Sequence, residues 1–385
     1  MKRGRKRLVC LDNAATTFPK PEPVIRAVTD ALRNTGGNPG RGSHRLSTAA
    51  AELVYDCRTA AAEFFGGTPE NVVFTENATH ALNCAVKGLA EPGCHILIDN
   101  YAHNAVYRPV AALSEAGTAE FDIYDASGKD DEVLENIRRK LRPESRIVIA
   151  THQSNICSHV LPVEKIGKLC AQYGLHFIVD ASQSAGHLPL DLAQMYITAL
   201  CLPGHKGLFG PMGVGMLLTA PDVRFNTLLE GGAGINSLDA AMPEELPERL
   251  EAGTLPLPAI AGLLAGIRYV RRIGTEEIHL HECTLTAELT RLLNDMPGVT
   301  VYGESIGPVV SFNIDGFSPA EVGAHLASRG ICVRTGYHCA PLAHRTVGSF
   351  QNGSVRAGFS WFNRMSDVHA LADALDDLRR KSRET

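Results

Sequence analysis

Between about residue 70 and residue 220, short apolar runs of five or six residues alternate with longer stretches. In the longer stretches, apolar positions recur every three or four residues. Short runs bounded by Gly, Asp or Asn read as buried strands, and the periodic stretches read as amphipathic helices. The pattern predicts strands over Asn71–Thr75, His95–Asp99, Glu120–Tyr124, Arg146–Thr151, His176–Asp180, Thr198–Leu202 and Gly213–Leu218. It predicts helices over Ala78–Leu89, Asn104–Glu115, Asp131–Lys140 and Val163–Tyr173. Such alternation builds an α/β domain on a mostly parallel, seven-stranded sheet with helices on both faces. Asp99, Thr151 and Asp180 end their strands, and open α/β sheets bind ligands beyond those ends.

The texture changes after Leu255. Long helical patterns cover Pro258–Ile273 and Thr275–Asp295, followed by strands Val299–Tyr302, Val309–Ile314 and Cys332–Arg334 with helix Pro319–Arg329 among them. Strand Ser354–Phe359 and helix Asp367–Arg380 close the chain. This predicts a smaller α+β C-terminal domain of residues 256–385, joined by the N-terminal segment 1–17 that precedes helix Glu22–Arg33. The large domain then spans 18–255, with no clean period over Leu229–Leu255.

Composition narrows the function classes. The 385 residues carry 37 Lys+Arg against 42 Asp+Glu, a net charge of −5, which argues against nucleic-acid binding through a basic surface. With 44% hydrophobic residues, disorder as the main state is excluded. No apolar run approaches the ~18 residues of a membrane span. The basic stretch Met1 to Arg7 is followed only by Leu8-Val9-Cys10-Leu11, too short for a signal-peptide core. Ten scattered cysteines without a C-x-x-C pair read as reduced thiols of a cytoplasmic protein.

Four constellations can carry chemistry. Gly204-His205-Lys206-Gly207 follows an apolar strand. It is either a surface loop with a solvated lysine or a lysine placed for a Schiff base with a carbonyl cofactor. Asp180 is a helix cap, a metal ligand or the partner of a buried cation. Glu76-Asn77-Ala78-Thr79-His80 opens a helix, where the amides around Ala78 and the Thr79 hydroxyl suit a phosphate, or where Asn77 or Thr79 simply caps. Cys339 lies in Arg334-Thr335-Gly336-Tyr337-His338-Cys339-Ala340-Pro341, either as a structural thiol or as a nucleophile near cationic groups. A Cys339–His344 pair with no partner half-site is poor evidence for zinc, so no metal is assigned.

Taken in order, the residues resemble the class V, cysteine desulfurase-like branch of fold-type I pyridoxal 5′-phosphate (PLP) enzymes. The similarity runs from Leu11-Asp12-Asn13-Ala14-Ala15-Thr16 to the last helix. It includes His103-Asn104, Ser154-Asn155, Val179-Asp180-x-x-Gln183, Gly204-His205-Lys206, Ala252-Gly253-Thr254, Arg334-Thr335-Gly336-x-His338-Cys339 and Arg356. The resemblance implies that Lys206 carries PLP, Asp180 pairs with the pyridine N–H, Gln183 bonds the phenolic oxygen and Asn155 lies close to ring and substrate. It implies that His103 stacks on the ring and shuttles protons, that Ala78, Thr79 and His205 hold the phosphate, and that Thr254 reaches the phosphate of a second copy in a homodimer. Arg356 would fork onto the substrate carboxylate, with Asn13 and Asn155 also facing the substrate. Cys339 would accept sulfur.

The implied activity is removal of sulfur from L-cysteine, giving L-alanine and a persulfide on Cys339 for transfer to an acceptor protein. The alternative within the family is a selenocysteine lyase or another class V reaction such as transamination. The short segment between Cys339 and Arg356 resembles the group II, short-loop members. Three departures stand out: Pro203, where many relatives have Ser, removes a hydroxyl and an N–H; Tyr337 replaces a common His next to His338; and Pro341–Asn352 carries an unusual His344-Arg345. Outside this class, a non-catalytic scaffold would need none of these residues. A nucleotide-dependent dehydrogenase would need a G-x-G-x-x-G after the first strand, which is missing.

Overall fold

The computed structural model describes residues 8–40, 42–303 and 307–383, and the basic stretch Met1 to Arg7 lies outside them. The chain divides into two compact units, Lys20–Gln153 with Leu161–Thr275, and Met1–Pro19 with Ser154–Val160 and Glu276–Thr385. It opens in the smaller unit with β1 (Val9–Cys10) and enters the larger with α1 (Glu22–Asn34) and α2 (Arg45–Phe65). There follow β2 (Val72–Thr75), α3 (Ala78–Leu89), β3 (Cys94–Asp99), α4 (Asn104–Glu115), β4 (Ala119–Tyr124) and α5 (Asp130–Lys140). Next come β5 (Ser145–Thr151), α6 (Val163–Tyr173), β6 (His176–Asp180), β7 (Ala199–Pro203), β8 (Gly215–Thr219) and α7 (Leu257–Ile273).

The seven strands β2 to β8 form one sheet in the order β2-β8-β7-β6-β5-β3-β4, parallel except for β8, which opposes both neighbours. Strands β3, β7 and β8 are buried along their whole length. A strand covered on both faces gains nothing from alternating polarity, which is why these segments read as continuous apolar runs. Helix α2 has no counterpart in the sequence expectation. Its buried face is built largely from small residues, including Ser47, Ala50, Cys57, Ala61 and Ala62, so its hydrophobic period is faint. His44 Nδ1 accepts from the Ser47 N–H at 3.3 Å at its start, and Gly66, at φ 69°, ends it. Helix α7 packs on α1 and α2, so the larger unit runs to Thr275 rather than to residue 255.

The smaller unit continues with α8 (Thr275–Asn294), β9 (Val299–Tyr302), β10 (Val309–Ile314), α9 (Pro319–Ser328) and β11 (Ile331–Cys332). It ends with β12 (Arg334–Gly336), α10 (Pro341–Thr346), β13 (Ser354–Gly358) and α11 (Met365–Arg383). An antiparallel sheet, β12-β13-β10-β9, packs Val310, Phe312 and Val355 with Leu285 and Leu289 of α8 and Leu371 and Leu375 of α11. The expected strand Cys332–Arg334 is two strands, because β11 pairs in parallel with β1 while β12 pairs with β13. Residues Ser154–Val160 leave β5 for this unit. Ser158 Oγ accepts from the Val309 N–H at 2.9 Å, and Ser311 Oγ donates to the Ile156 carbonyl at 2.6 Å.

Candidate active site

In the larger unit the sheet brings several predicted residues to the C-terminal ends of its strands. Register pairs Thr151 with Asp180 and Asp180 with Cys201, so β5, β6 and β7 finish side by side. The loop after β6 carries Gln183 and the loop after β7 carries His205 and Lys206. These loops meet backbone to backbone. A Cβ on Gly186 would come within 2.4 Å of the Gly207 carbonyl, and one on Gly207 within 2.2 Å of the Ala185 carbonyl. Glycine is needed there because nothing larger fits. On the other side of β7, Pro203 pairs with Gly215, and a Cβ on Gly215 would lie 2.8 Å from the Asn77 carbonyl carbon. The start of α3 is therefore at the same sheet edge as Lys206.

Asn77 caps α3, its Oδ1 accepting from the His80 N–H at 3.0 Å, while the Ala81 N–H closes on the Asn77 carbonyl. The Ala78 and Thr79 N–H groups are the helix-start donors that this cap does not use. The cap therefore leaves both amides available to an anion. His103 caps α4 in the same way: its Nδ1 accepts from the Ala105 N–H at 3.0 Å, which makes Nε2 the protonated nitrogen of the neutral ring.

Asp180 is 3% exposed, and its Oδ1 accepts from the Ser182 N–H at 2.9 Å. Asp99, also fully buried, bridges neighbouring strand ends, Oδ1 accepting from the Tyr101 N–H and Oδ2 from the Thr151 N–H, each at 2.8 Å. Burial pushes its carboxyl up to about 6, with Asp180 adding to the rise. Lys20 Nζ donates to the His205 carbonyl at 2.8 Å, and burial brings that ammonium down to about 8. Burial first, then the charges of Lys206 and Lys20, lower the His205 imidazole to about 4, so it is neutral at pH 7. Lys206 and Thr254 were both expected from sequence; Lys206 is half-buried, and Thr254 is exposed after the buried Glu251–Arg58 ion pair at 2.6 Å.

The smaller unit holds Arg356, Asn155, Asn13 and Cys339. Arg356 lies on β13, paired in register with Arg334, and is 2% exposed. Its Nη1 donates to the Asn155 carbonyl at 3.1 Å and its Nη2 to Asp12 Oδ1 at 3.3 Å, while its buried Nε has no partner. Burial lowers the guanidinium to about 10, so it stays charged. Asn155 Nδ2 donates to the His338 carbonyl at 3.0 Å, and its buried Oδ1 is likewise without a partner. Each unmet buried polar group costs about 1–3 kcal/mol, which a bound polar ligand recovers.

Cys339 is exposed. The Ala340 N–H donates to the Tyr337 carbonyl at 2.9 Å, closing a turn whose central residues, His338 and Cys339, have φ of 50° and 57°. Two consecutive left-handed residues define the mirror-image turn normally filled by Asn and Gly. Both nitrogens of His344 are engaged, with His338 and Ser349, so Cys339 and His344 do not form half of a metal site. Asn13 is spent internally: its Nδ2 lies within 3.1 Å of the Cys10 carbonyl, 2.9 Å of the Gly358 carbonyl and 3.0 Å of Asn363 Oδ1, and its Oδ1 accepts from the Phe18 N–H. Both amide hydrogens are used, so any contact with a substrate falls to Oδ1. Sequence reasoning gave no role to Asp12 and Lys20, whose contacts join distant segments, or to Ser349, whose bond to His344 shows only in the fold.

A parallel sheet that presents a lysine loop, a buried carboxylate and an amide-lined helix start at its strand ends defines an α/β enzyme built around a carbonyl cofactor. The chain belongs to the aminotransferase class-V family, whose model matches residues 9–371. It is 32% identical over 377 residues to a probable cysteine desulfurase of Methanothermobacter thermautotrophicus, covering 95% of this chain and 94% of the relative. It is 31% identical over 388 residues to a cysteine desulfurase of Haloferax volcanii, covering 97% and 89%. The apo structure of a cysteine desulfurase from Thermococcus onnurineus matches with a TM-score of 0.87 at 32% identity, covering 96% and 94%. A cysteine desulfurase structure from Escherichia coli, at 24% identity and a TM-score of 0.86, supports the fold alone.

Enzymes of this family use PLP. The residues present fit it. A buried carboxylate at a strand end suits a pyridinium N–H, helix-start amides suit a phosphate, and a lysine in a glycine-bounded loop suits an aldehyde.

Proposed function

We propose that the protein is a PLP-dependent cysteine desulfurase, converting L-cysteine to L-alanine with a persulfide left on Cys339. The observation that carries the reading is the smaller unit's pairing of an exposed thiol on a left-handed turn with a buried guanidinium whose Nε is unmet. Lys206 would hold the cofactor, Asp180 its ring nitrogen, Gln183 its phenolic oxygen, and the Ala78 and Thr79 amides with His205 its phosphate. PLP, when bound, supplies an electron sink for charge developing at the substrate Cα.

The chain's own residues do the rest. Arg356 orients the substrate through its carboxylate, which completes the Nε bond and relieves its desolvation cost. Lys206 Nζ takes the Cα proton. His103, neutral with its hydrogen on Nε2, is oriented by its cap and available as a second proton carrier. Cys339 attacks as a thiolate. Its Sγ forms a bond to the substrate sulfur as the Cβ–S bond breaks, and the electron pair stays with the three-carbon fragment. Protonation of that fragment at carbon gives alanine. The sulfur leaves on Cys339 for an acceptor thiol, an acceptor protein in the cell.

Two further statements belong to this reading. The exposed Thr254 fits a homodimer in which it reaches the other copy's phosphate. Ten free cysteines among the described residues fit a reducing, cytoplasmic setting. Among the described residues, no helix is long and apolar enough to cross a membrane.

The test is the Cys339→Ala holoenzyme with L-cysteine. Alanine release should fall to background while cofactor absorbance is retained. Alanine release at the wild-type rate would refute the assignment of the nucleophile.

A further inference from the structure

The turn that carries Cys339 is costly by itself. Left-handed backbone at a non-glycine residue is unfavourable by roughly 1–2 kcal/mol, and this turn has two such residues in succession. Something must hold it. The Asn155 amide grips the His338 carbonyl from one side. A chain of side chains grips the His338 ring from the other.

The hydrogen bonds of that chain, with the burial of its rings, set its donors and acceptors. His338 Nε2 faces the Arg334 carbonyl at 3.3 Å, and a carbonyl can only accept, so Nε2 carries the hydrogen. Burial first, and then the Arg356 charge, lower the His338 imidazole to about 2, so the ring is neutral and its Nδ1 is an acceptor. His344 Nε2 lies 3.3 Å from that Nδ1 and is its donor, and the Tyr337 carbonyl is a further partner of the His344 ring. His344 is fully buried and lowered to about 4 by burial, so it too is neutral, and its Nδ1 accepts from Ser349 Oγ at 2.6 Å.

The two ring planes are 18° apart with centroids 5.5 Å apart. That separation exceeds the N···N contact by about two ring radii, so the rings meet edge to edge in nearly one plane, as an N–H···N bond requires. Tyr337 packs edge-on against His344, its ring centroid 5.5 Å away, and the Ser349 N–H closes on the His344 carbonyl at 2.9 Å.

We propose that Ser349 and His344 are positioning residues for the Cys339 thiol, acting through His338 as a directed chain, Ser349 O–H to His344, His344 N–H to His338, and His338 N–H to the Arg334 carbonyl. The chain stabilises the left-handed turn that presents the sulfur, and its three side chains are buried. Short spacing from Cys339 thereby gives a rigid presentation where a long loop would give a mobile one. The inference rests on the desulfurase reading for its catalytic consequence and, for the brace, on the hydrogen-bond geometry of two buried, neutral rings.

The experiment uses the holoenzyme and its Ser349→Ala and Ser349→Thr variants, with His344→Gln as a second probe that keeps a donor where Nε2 lies. Hydrogen–deuterium exchange read by mass spectrometry on the peptide Tyr337–Leu342 reports the turn, because the Ala340 N–H closes it. Ser349→Ala should speed that exchange by about fivefold, the factor one neutral hydrogen bond is worth, with Ser349→Thr and His344→Gln close to wild type. The kcat for alanine release should fall about tenfold in Ser349→Ala with an unchanged KM, since a displaced thiol lowers turnover without weakening substrate binding. Unchanged exchange in Ser349→Ala overturns the brace. Faster exchange with unchanged kcat overturns its role in presenting the thiol. A wild-type enzyme that releases no alanine from cysteine sinks the desulfurase reading instead, while the exchange result still decides the brace.

Discussion

Replacing Arg356 by Lys tests how the substrate is held. The guanidinium spends one nitrogen on the Asn155 carbonyl and one on Asp12, leaving Nε buried and unmet. Lysine keeps a positive charge against Asp12 but offers a single ammonium in place of the planar fork. The substrate carboxylate then loses at least one charge-assisted hydrogen bond, worth about 1.5–3 kcal/mol. That predicts a fall in kcat/KM for L-cysteine of roughly 10- to 150-fold. The assay is initial-rate sulfide release from the holoenzyme with dithiothreitol as the final acceptor. Cysteamine, which has the amine and thiol of cysteine but no carboxylate, serves as a competing ligand. Its inhibition constant should change by no more than about twofold, because it never used the guanidinium. Equal losses for cysteine and cysteamine would refute the reasoning, since they would show that Arg356 acts only by tying Asp12 and Asn155 into the smaller unit.

Other consequences concern stability. His152, His205 and His344 are each held neutral with folded values of about 4 against an ordinary 6.5. Between those values the unfolded chain binds more protons than the folded one, so stability is full above about pH 6.5 and is lost as pH falls toward 4. Urea midpoints should drop from pH 7 to pH 5, and His152→Gln should flatten that drop; a midpoint that rises on acidification contradicts the sign. The Arg58–Glu251 pair is buried on both sides, and Glu251 Oε1 also accepts from the Phe74 N–H at 2.6 Å. Glu251→Gln should cost about 3–5 kcal/mol in urea unfolding, because it strands a buried guanidinium. A loss below about 1 kcal/mol would show that the pair is solvated in solution.

Much of the larger unit was readable because its signals are local. Helices Ala78–Leu89, Asn104–Glu115 and Val163–Tyr173 fall where their hydrophobic periods place them, and strand His176–Asp180 ends on its carboxylate. The rule that ligands bind beyond strand C-termini then picks out Asp180 and the Lys206 loop without knowledge of the fold. Helix α2 was not readable, because alanines bury a face without raising a clear apolar stripe. Nor was the split of β11 from β12, since which sheet each half joins depends on β1, more than three hundred residues earlier in the chain. The same holds for the smaller unit's site. Asp12 and Arg356 bond across 344 positions, and Asn155 reaches His338 across 183. In sequence, His344 stands out only as the second half of a poor Cys339–His344 metal pair. Only the direction of each hydrogen bond shows that His338 and His344 are a neutral relay.

The central claim is that Cys339 itself takes the sulfur. Wild-type holoenzyme with its thiols fully reduced, freed of excess reductant and mixed with one equivalent of L-cysteine, can be digested and the peptide bearing residue 339 weighed. The account predicts one added sulfur atom on Cys339, in amounts matching the alanine released. Alanine released with that peptide unmodified, and the sulfur found on another cysteine or only as free sulfide, would contradict it.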